Sequence, residues 1–571
     1  MEWGAHPGAD GSTRFAIWAP DCAAMTLDLR DGDAVPMHRG DDGWHSVETT
    51  APVGARYRFR LPDGMAVPDP ASRRQDGGVH GWSVVTDPAA MSENREPRHG
   101  EWRGRAWEEA VIYECHAGVL GGFAAMAKRL PQLAELGITA VQLMPVAAFA
   151  GSRNWGYDGA LPYAPAEDLG TPEELRALVD RAHDLGLMIY LDVVYNHFGP
   201  DGNFLGAYAK GFFDQSEDTP WGAAVAVDRE PVARFFIDNA RMWLAQYGFD
   251  GLRFDAVHAI ADDEFLDAMG TELREAAGDR TVHLILENEA NDPDRLDGPY
   301  DAQWNDDFHN AAHVILTGET DSYYEAFADN PTAHLARTLA EGFAYQGEAI
   351  APGHTRGASS GHLPPTSFVN FLQNHDQVGN RAFGERLTLL TQHDRLKAAT
   401  ALLLLSPGIP MIFMGDETGS TSPFLFFTDF HDGLADAVRE GRRREFAGFP
   451  AFSDPAARER IPDPNAPETF RRSIPEPGPD ADEWRAFYAR LLAIRHAEIV
   501  PRLRGATSLG SSVIAPGAVT AGWHLGDGAR LQVLVNLGTG AIDTSSLIGT
   551  ELFSHGDPHV GAGCTFTLDR P

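Results

Sequence analysis

Lysine, cysteine and long apolar runs are all scarce in this chain of 571 residues. Lysine occurs only at positions 128, 210 and 397 among 46 basic residues, while 82 residues are acidic, so the formal net charge is -36. Nucleic acids and anionic membranes bind basic patches, and a chain this acidic is not expected to bind either of them. A neutral ligand such as a sugar is compatible with the charge.

The three cysteines, Cys22, Cys115 and Cys564, are far apart and lack the spacing of metal ligands. A disulfide framework is therefore not expected, and a reducing compartment fits. The N-terminus has no basic segment followed by an apolar one, which predicts no signal peptide. The longest apolar stretch, 398–412, is short and contains two prolines, so it is not expected to span a bilayer. Together these features predict a cytoplasmic protein.

Both ends of the chain are rich in short β-like runs separated by turn residues. Residues 1–95 contain runs such as TRFAIWAP (13–20) and ARYRFRL (55–61), and residues 501–571 contain VTAGWHL (519–525) and LQVLVNLG (531–538). Turn signals about every ten residues are typical of small β-sandwiches. We therefore expect an N-terminal and a C-terminal β-sandwich, with a polar linker over 92–100.

Between 106 and 500 the pattern changes, because eight apolar strand-like runs alternate with amphipathic helical runs. The runs lie at 111–116, 139–145, 187–194, 251–257, 281–287, 300–304, 367–373 and 410–414. This alternation predicts an α/β fold, namely a (β/α)8 TIM barrel, with a doubly wound sheet as the alternative. The segment 195–228 has no predicted helix and is expected to be an excursion after the third strand.

Helices are predicted in most of the intervals between these strands. Their expected spans are 123–137, 171–186, 232–248, 263–278, 394–405 and 482–497. Thr171 followed by Pro172 is a favourable start for the second of them, because threonine caps a helix N-terminus and proline is tolerated in its first turn.

Polar residues follow four of the predicted barrel strands. Arg253 and Asp255 are two apart in one strand and should face the same side. The other three strands end in 192–199 (DVVYNHFG), 285–289 (ILENE) and 371–377 (FLQNHDQ). Because the C-terminal ends of barrel strands form the active site, these side chains are expected to converge.

Three of the converging side chains are carboxylates, Asp255, Glu287 and Asp376. Glycoside hydrolysis uses one carboxylate as nucleophile and one carboxylic acid to protonate the leaving oxygen, and a third can stabilise positive charge on the sugar. Arg253 would keep Asp255 ionised, and partial desolvation would raise the pKa of Glu287. Alternatives stay open: Arg253 and Asp255 can form a structural ion pair, and Glu289 can replace Glu287 as the acid.

These four segments resemble, in order, the signature regions of the alpha-amylase superfamily of glycoside hydrolases. The resemblance implies Asp255 as nucleophile, Glu287 as general acid/base and Asp376 as transition-state stabiliser. It also implies that His197, Arg253 and His375 contact the sugar before the scissile bond. Tyr157, within NWGYD (154–158), is similar to the aromatic residue that stacks on that sugar.

Longer runs resemble one family within that superfamily, the maltooligosyltrehalose trehalohydrolases. They include RNWGYDGALPYAP (153–165), QWNDDFHNAAHVILTGE (303–319) and NHDQVGNRAFGER (374–386). The resemblance implies hydrolysis of the α-1,4 bond beside the terminal trehalose of maltooligosyl trehalose, with retention and release of trehalose. An α-glucan branching enzyme or an amylase-like hydrolase is the alternative, and both would act on related α-glucans. A maltooligosyltrehalose synthase is implied as a functional partner.

Residues that hold the trehalose side of the substrate must come from the loops above the barrel. The candidates share aromatic, imidazole or carboxylate side chains in those loops: His258, Asp306, Asp307, His309, Phe426, Asp429 and Trp221. Structural roles are alternatives for each, since Asp306 and Asp307 can cap a helix and Phe426 can pack a loop. No cofactor is needed for hydrolysis by two carboxylates. Asn196 matches a calcium ligand of many amylases, but no carboxylate-rich loop surrounds it, and no metal is expected.

Overall fold

The computed structural model describes residues 3–87, 102–219, 222–260, 262–351, 354–543 and 547–571. The predicted linker over 92–100 and the candidate Trp221 lie outside the described residues. Every structural statement below concerns the described part of the chain.

Two antiparallel sheets of short strands form the N-terminal region and fit the predicted β-sandwich. Their orders are β1-β2-β6-β5 and β4-β3-β7-β10-β9, with β8 paired to β7. Phe15, Ile17, Tyr57 and Phe59 are buried between them. The strands are β1 (Gly4–Pro7), β2 (Ser12–Trp18), β3 (Thr26–Leu29), β4 (Val35–Pro36), β5 (His38–Arg39), β6 (Trp44–Thr50), β7 (Arg56–Arg60), β8 (Ala66–Val67), β9 (Gln75–Asp76) and β10 (Trp82–Val84).

The central region is a closed barrel of eight parallel strands, and all eight predicted strands are present. Their order is β11-β12-β15-β18-β19-β20-β23-β24, and β24 pairs with β11 to close the ring. The strands of this region are β11 (Ile112–Cys115), β12 (Ala140–Leu143), β13 (Ala147–Phe149), β14 (Gly159–Pro165), β15 (Met188–Val193), β16 (Phe213–Thr219), β17 (Gly222–Val225), β18 (Gly251–Phe254), β19 (His283–Leu286), β20 (Ala302–Trp304), β21 (Glu348–Ala351), β22 (His354–Arg356), β23 (Phe368–Asn370) and β24 (Ile409–Phe413). The predicted (β/α)8 barrel is therefore confirmed.

Helices surround the barrel, and the six predicted ones are present. Thr171 and Glu174 form a reciprocal capping box at the start of the second long helix, with N–H to side-chain distances of 3.1 and 2.9 Å. The helices are α1 (Phe123–Leu136), α2 (Pro172–Asp184), α3 (Leu205–Tyr208), α4 (Glu230–Met242), α5 (Asp263–Ala277), α6 (Asp306–Thr317), α7 (Pro331–Glu341), α8 (His375–Gly379), α9 (Leu387–Leu390), α10 (His393–Leu405), α11 (Asp432–Glu445), α12 (Pro455–Arg458), α13 (Pro467–Arg472) and α14 (Ala481–Ile494).

The excursion after the third barrel strand contains the hairpin β16–β17 and the one-turn helix α3, which the sequence did not predict. It packs against the N-terminal sheets. The ring of Trp3 lies 6.2 Å from Phe212 of the excursion and 5.0 Å from Phe235 of the following helix α4, and its indole donates to the carbonyl of Pro231 in α4 at 3.1 Å. Asp21 accepts a hydrogen bond from the backbone N–H of Lys210 at 2.7 Å. The N-terminal region therefore braces a loop of the catalytic face.

The C-terminal region is a five-stranded antiparallel sheet of order β25-β26-β27-β29-β28, which fits the predicted β-sandwich. Barrel helices cover part of it: the Trp523 indole donates to Leu339 at 3.2 Å, and Arg395 of α10 donates to Leu537 at 2.7 Å. The strands are β25 (Thr507–Ala515), β26 (Ala518–His524), β27 (Arg530–Asn536), β28 (Thr550–Gly556) and β29 (Gly563–Asp569).

The interior of the barrel changes from apolar to polar along its axis. Ile112, Met188, Ile285 and Met411 belong to one buried apolar cluster in the lower barrel. The charged side chains of Glu114, Asp192 and Arg253 lie nearer the C-terminal ends of their strands. No helix among the described residues has the length and apolar character that crossing a membrane requires.

Candidate active site

A layer of charged side chains closes the top of the barrel. Glu114 of β11 and Arg253 of β18 are completely buried, and Asp192 of β15 is 1% exposed. Asp192 and Arg253 are neighbours in the strand register. Buried charges are tolerated only when they are paired, so this layer indicates a built electrostatic site.

Arg253 is the centre of this layer. Its Nη1 lies 2.8 and 2.7 Å from the two carboxylate oxygens of Asp192 and 2.8 Å from Oδ1 of Asp255. Its Nη2 lies 2.7 Å from Oε2 of Glu287. The guanidinium also lies over the ring of Trp304, 4.1 Å from its centroid. A planar guanidinium that contacts three carboxylates fixes their relative positions, which a lysine ammonium would not do.

The backbone turns sharply between Asp255 and the next helical turn. Ala256 has a φ of 40°, in the left-handed region that residues with a side chain rarely adopt. Its N–H donates to Oε2 of Glu287 at 2.8 Å. The strained turn therefore connects the end of β18 directly to the carboxyl group that follows β19.

Asp376 is the third carboxylate of the site. It lies in the first turn of α8, where Asn380 Nδ2 donates to its Oδ1 at 3.2 Å and His375 Nε2 lies 3.5 Å from the same oxygen. Burial raises the pKa of Asp376, while the neighbouring His375 lowers it. The structure thus brings Asp255, Glu287 and Asp376 to one side of the barrel mouth.

The protonation of the two facing carboxyls differs from the sequence prediction. Burial raises the pKa of Asp255 well above its usual range, and the pull of Arg253 only partly offsets this. Burial also favours the neutral form of Glu287, but Arg253 and the Ala256 N–H outweigh it and lower its pKa. Arg253 contacts both carboxyls, and the Ala256 N–H is the additional donor that stabilises the ionised form of Glu287. Carboxyls this close titrate as a pair.

Tyr157 and His375 form an aromatic wall beside the carboxylates. Their rings stack with centroids 4.9 Å apart and planes 20° apart. The Tyr157 hydroxyl donates to Oδ2 of Asp192 at 2.7 Å. His197 is 7% exposed, and its ring nitrogens lie 3.0 Å from Asn196 Oδ1 and 2.9 Å from the Tyr157 carbonyl. Burial lowers the pKa of His197 to about 4, so its ring is neutral.

His258 and Asp306 border the site on the opposite side. His258 is partly exposed, accepts the N–H of Glu289 on Nδ1 at 3.3 Å, and lies 3.8 Å from the Glu289 carboxylate. Asp306 is the first residue of α6 and is half-buried. Burial, followed by the charge of Glu287, raises the pKa of Asp306 to about 8, so it is able to donate or accept a hydrogen bond near neutral pH.

Asp307 and His309 are buried one layer behind the site. Asp307 accepts from Asn291, Ala344 and Tyr345 at 3.0, 2.8 and 3.2 Å and pairs with Arg356 at 2.9 Å. His309 has no exposed surface, and its ring nitrogens lie 2.6 Å from the Leu372 carbonyl and 3.0 Å from the Tyr324 hydroxyl. Both side chains have their polar atoms engaged within the protein, so a direct substrate contact would require them to move.

Phe426 and Asp429 lie in the loop after the eighth strand. Phe426 packs edge-on against Trp155 at 5.1 Å and under the guanidinium of Arg442 at 5.5 Å. Asp429 pairs with Arg153 and accepts from the N–H and hydroxyl of Ser152, each at 2.8 Å. Asp429 therefore joins two loops of the catalytic face.

The sequence analysis did not single out two buried carboxylates of this layer, Asp192 and Glu114. Asp192 lies within a quoted motif but received no role, although a charged side chain near the end of an apolar strand is the same signal that pointed to Arg253 and Asp255. Glu114 lies in an otherwise apolar strand, and that charge was the only available signal. In the described residues, no group of three or more histidine, cysteine or carboxylate side chains is arranged as metal ligands.

Comparisons with known proteins agree with this geometry. A family model for the alpha amylase catalytic domain matches residues 86–221, and one for a domain of unknown function (DUF3459) matches 506–568. The crystal structure of an alpha-amylase-type protein from Salmonella typhimurium superimposes with a TM-score of 0.93 at 43% identity, covering 100% of both chains.

Sequence relatives identify the family of the chain among alpha-amylase-type proteins. A malto-oligosyltrehalose trehalohydrolase from Deinococcus radiodurans is 42% identical and covers 82% of this chain and 77% of its own length. One of the same name from Saccharolobus solfataricus is 40% identical, covering 78% and 80%. A 1,4-alpha-glucan branching enzyme from Rhodospirillum rubrum is 32% identical over only 45% of this chain and 39% of its own length. The chain therefore belongs to the malto-oligosyltrehalose trehalohydrolase family of alpha-amylase-type glycoside hydrolases.

Proposed function

We propose that this protein hydrolyses the α-1,4-glucosidic bond beside the terminal trehalose of maltooligosyl trehalose and releases free trehalose with retention of configuration. The observation that carries the proposal is the single guanidinium of Arg253, which contacts both Asp255 and Glu287. Oxygens bound to the two terminal nitrogens of one guanidinium lie close together. Retaining enzymes need their two carboxyls only about 5–5.5 Å apart, whereas inverting enzymes need about 6.5–9.5 Å to admit a water.

In this mechanism Asp255 attacks the anomeric carbon while Glu287 protonates the leaving trehalose oxygen. The C–O bond to trehalose breaks as the bond to Asp255 forms, and Asp376 faces the positive charge that develops on the ring. Water then attacks the glycosyl-Asp255 intermediate, with Glu287 accepting its proton. Trehalose leaves in the first step, and the shortened glucan leaves in the second.

The coupled protonation of the two carboxyls fits these roles once substrate is bound. In the free protein the pKa of Asp255 is raised and that of Glu287 is lowered. The glycosidic oxygen is a hydrogen-bond acceptor placed beside Glu287. A hydrogen bond to this oxygen favours the protonated form of Glu287, and protonation of one coupled carboxyl favours ionisation of the other, so that Asp255 becomes the ionised nucleophile beside Arg253.

The substrate contacts divide between the two sides of the carboxylates. Tyr157, His197, Arg253 and His375 line the side of the glucan, where the stacked Tyr157 and His375 rings form a wall for a pyranose. His258 and Asp306 are the open polar groups on the trehalose side. Asp307, His309, Phe426 and Asp429 act through the loops that they hold together, since their partners lie within the protein.

Further assignments belong to the same proposal. We divide the chain into an N-terminal domain (1–95), a catalytic domain (106–500) and a C-terminal domain (501–571). The substrate must come from an enzyme that converts the reducing end of an α-glucan to trehalose, so a synthase is the functional partner. A cytoplasmic location fits the three cysteines, which are all free and buried.

Product analysis tests the substrate assignment. The protein is incubated with maltopentaosyl trehalose and, separately, with a linear maltooligosaccharide of equal length, and sugars are separated by chromatography. We expect trehalose as the main product of the first substrate and much slower cleavage of the second, because only trehalose satisfies the groups on its side of the site.

Two results would contradict this expectation. Equal release of glucose or maltose from both substrates would indicate an amylase-like hydrolase. New α-1,6 branches, detected by a debranching enzyme, would indicate the branching activity of the more distant relative.

A further inference from the structure

Glu114 is a buried carboxylate to which the reaction as described gives no role. It lies in β11 with no exposed surface, and in the sequence it is outside the four signature segments. Its Oε1 lies 2.6 Å from His375 Nδ1, and its Oε2 accepts the backbone N–H of His375 at 3.0 Å. One carboxylate therefore fixes both the ring and the backbone of a residue at the end of the seventh strand.

The surroundings of His375 restrict its ring further. Tyr157 stacks on one face, and the ring centroids of Trp155 and Trp304 lie 5.6 and 6.0 Å from that of His375. The ring nitrogen that does not face Glu114, Nε2, lies 3.5 Å from Asp376 Oδ1. Both ring nitrogens thus face carboxylate oxygens, and carboxylates accept hydrogen bonds but do not donate them when ionised.

We propose that Glu114 is a positioning residue that orients His375 and keeps both of its ring nitrogens protonated, so that Nε2–H is presented to the bound sugar and to Asp376. This inference rests on the proposed function, because it assigns a purpose to His375 within that reaction. Glu114 itself touches neither the substrate nor the reacting atoms.

The charged groups around the ring support a doubly protonated histidine. Burial by itself would lower the pKa of His375, and Arg253 on β18 acts in the same direction. The carboxylates of Asp376, on its own helix, and Glu114, on β11, outweigh both and raise the pKa to about 9. His375 in turn favours the ionised forms of Asp192, Glu287 and Asp376. Its neighbour His116 stays neutral, since burial lowers the pKa of that ring to about 4.

The raised pKa of His375 sets the pH range in which its ring is charged. A histidine with a raised pKa is charged below that pKa and loses its charge as the pH rises through about 9. Replacing Glu114 by glutamine removes one carboxylate. It also presents an amide N–H₂ either to Nδ1–H or to the backbone N–H of His375, both of which need an acceptor. Loss of an opposite charge at contact distance lowers a pKa by about 1–3 units. His375 in Glu114→Gln is therefore expected to lose its proton near neutral pH.

The kinetic test uses α-maltosyl fluoride, because fluoride leaves without a proton from Glu287. The alkaline limb of kcat/KM on this substrate then does not report the general acid. We expect a limb near pH 9 for the unmodified protein and a limb lower by about 1–3 units in Glu114→Gln. At pH 8 a limb lowered by this amount makes the variant about 2- to 100-fold slower, because the protonated fraction of His375 falls by that factor. Glu114→Asp, which keeps the charge, should restore the limb toward pH 9.

A second measurement does not depend on activity. Proton–carbon NMR of ring-labelled histidine, assigned by the signal lost in His375→Asn, gives the titration of His375 directly. Glu417→Gln is the matched control, since Glu417 is a half-buried carboxylate in the turn after β24 and contacts Tyr113 instead of His375. It should leave the His375 titration unchanged.

The two measurements separate the possible failures. A His375 that is neutral at pH 7 in the unmodified protein, or an identical titration in Glu114→Gln, would overturn the role of Glu114 whatever the activity. A His375 that titrates as expected in a protein that releases no trehalose would leave the positioning role in place and contradict the proposed function.

Discussion

Replacing Asp255 by asparagine is expected to lower trehalose release by about four to six orders of magnitude, the loss seen when a covalent nucleophile is removed. The amide is nearly the same size and still accepts a hydrogen bond from Arg253, whose other partners Asp192 and Glu287 remain. The fold should therefore survive, and only the nucleophile is lost. Initial rates on maltopentaosyl trehalose and a thermal melting curve measure the two effects separately.

Asp279→Asn is the control for this substitution. Its side chain is 92% exposed, and the nearest cation, Arg103, is 3.9 Å away, so the activity should not change. A rate for Asp255→Asn within tenfold of the unmodified protein would remove Asp255 from the mechanism. Such a result would leave its contact with Arg253 as a structural ion pair.

The second large expected effect is a loss of activity in Glu287→Gln that the neighbouring substitution Glu289→Gln does not cause. Glu287→Gln is expected to lose about two to four orders of magnitude on the natural substrate, because the leaving trehalose oxygen receives no proton. Glu289→Gln should retain most of the activity, since its carboxylate is 74% exposed and the ring of His258 lies 3.8 Å from it.

The leaving group provides an internal check on Glu287. On α-maltosyl fluoride the first burst of fluoride from Glu287→Gln should be close to that of the unmodified protein, because fluoride needs no proton. The opposite pattern, with Glu289→Gln inactive and Glu287→Gln active, would move the general acid to Glu289.

Much of the barrel was predictable because its strands carry a strong local signal. Fully buried parallel strands appear as continuous apolar runs, and the turns and capping residues between them, such as Thr171, mark where helices begin. The charged residues of three barrel strands were recognised for the same reason. Arg253, Glu287 and Asp376 stand out at the ends of apolar segments, where packing alone does not require them.

The helices α6 and α7 were not predicted, and the sequence of α6 shows why. Nine of its twelve residues are buried, among them Asp307, His309, Asn310 and His313. A helix that buries polar residues on the same faces as apolar ones has no clear apolar stripe. Its polar side chains are satisfied by partners from distant segments, such as Arg356 and the Leu372 carbonyl, which no local pattern reveals.

Long-range pairing also explains what was missed in the site. The contact between Glu114 and His375 joins residues 261 positions apart, and only closure of the barrel brings them together. The protonation of Asp255 and Glu287 was wrongly ordered for a related reason. The strained turn at Ala256 directs a backbone N–H at Glu287, and the side chains in the sequence do not predict this backbone conformation.

The central claim is that Asp255 and Glu287 act on one glycosidic bond by double displacement. Proton NMR of the first minutes of hydrolysis of maltopentaosyl trehalose tests it most directly, because the anomeric signal of the new glucan end is recorded before mutarotation. We predict that the α-anomer appears first, as two successive inversions require. Initial formation of the β-anomer would mean direct attack by water and would contradict the account.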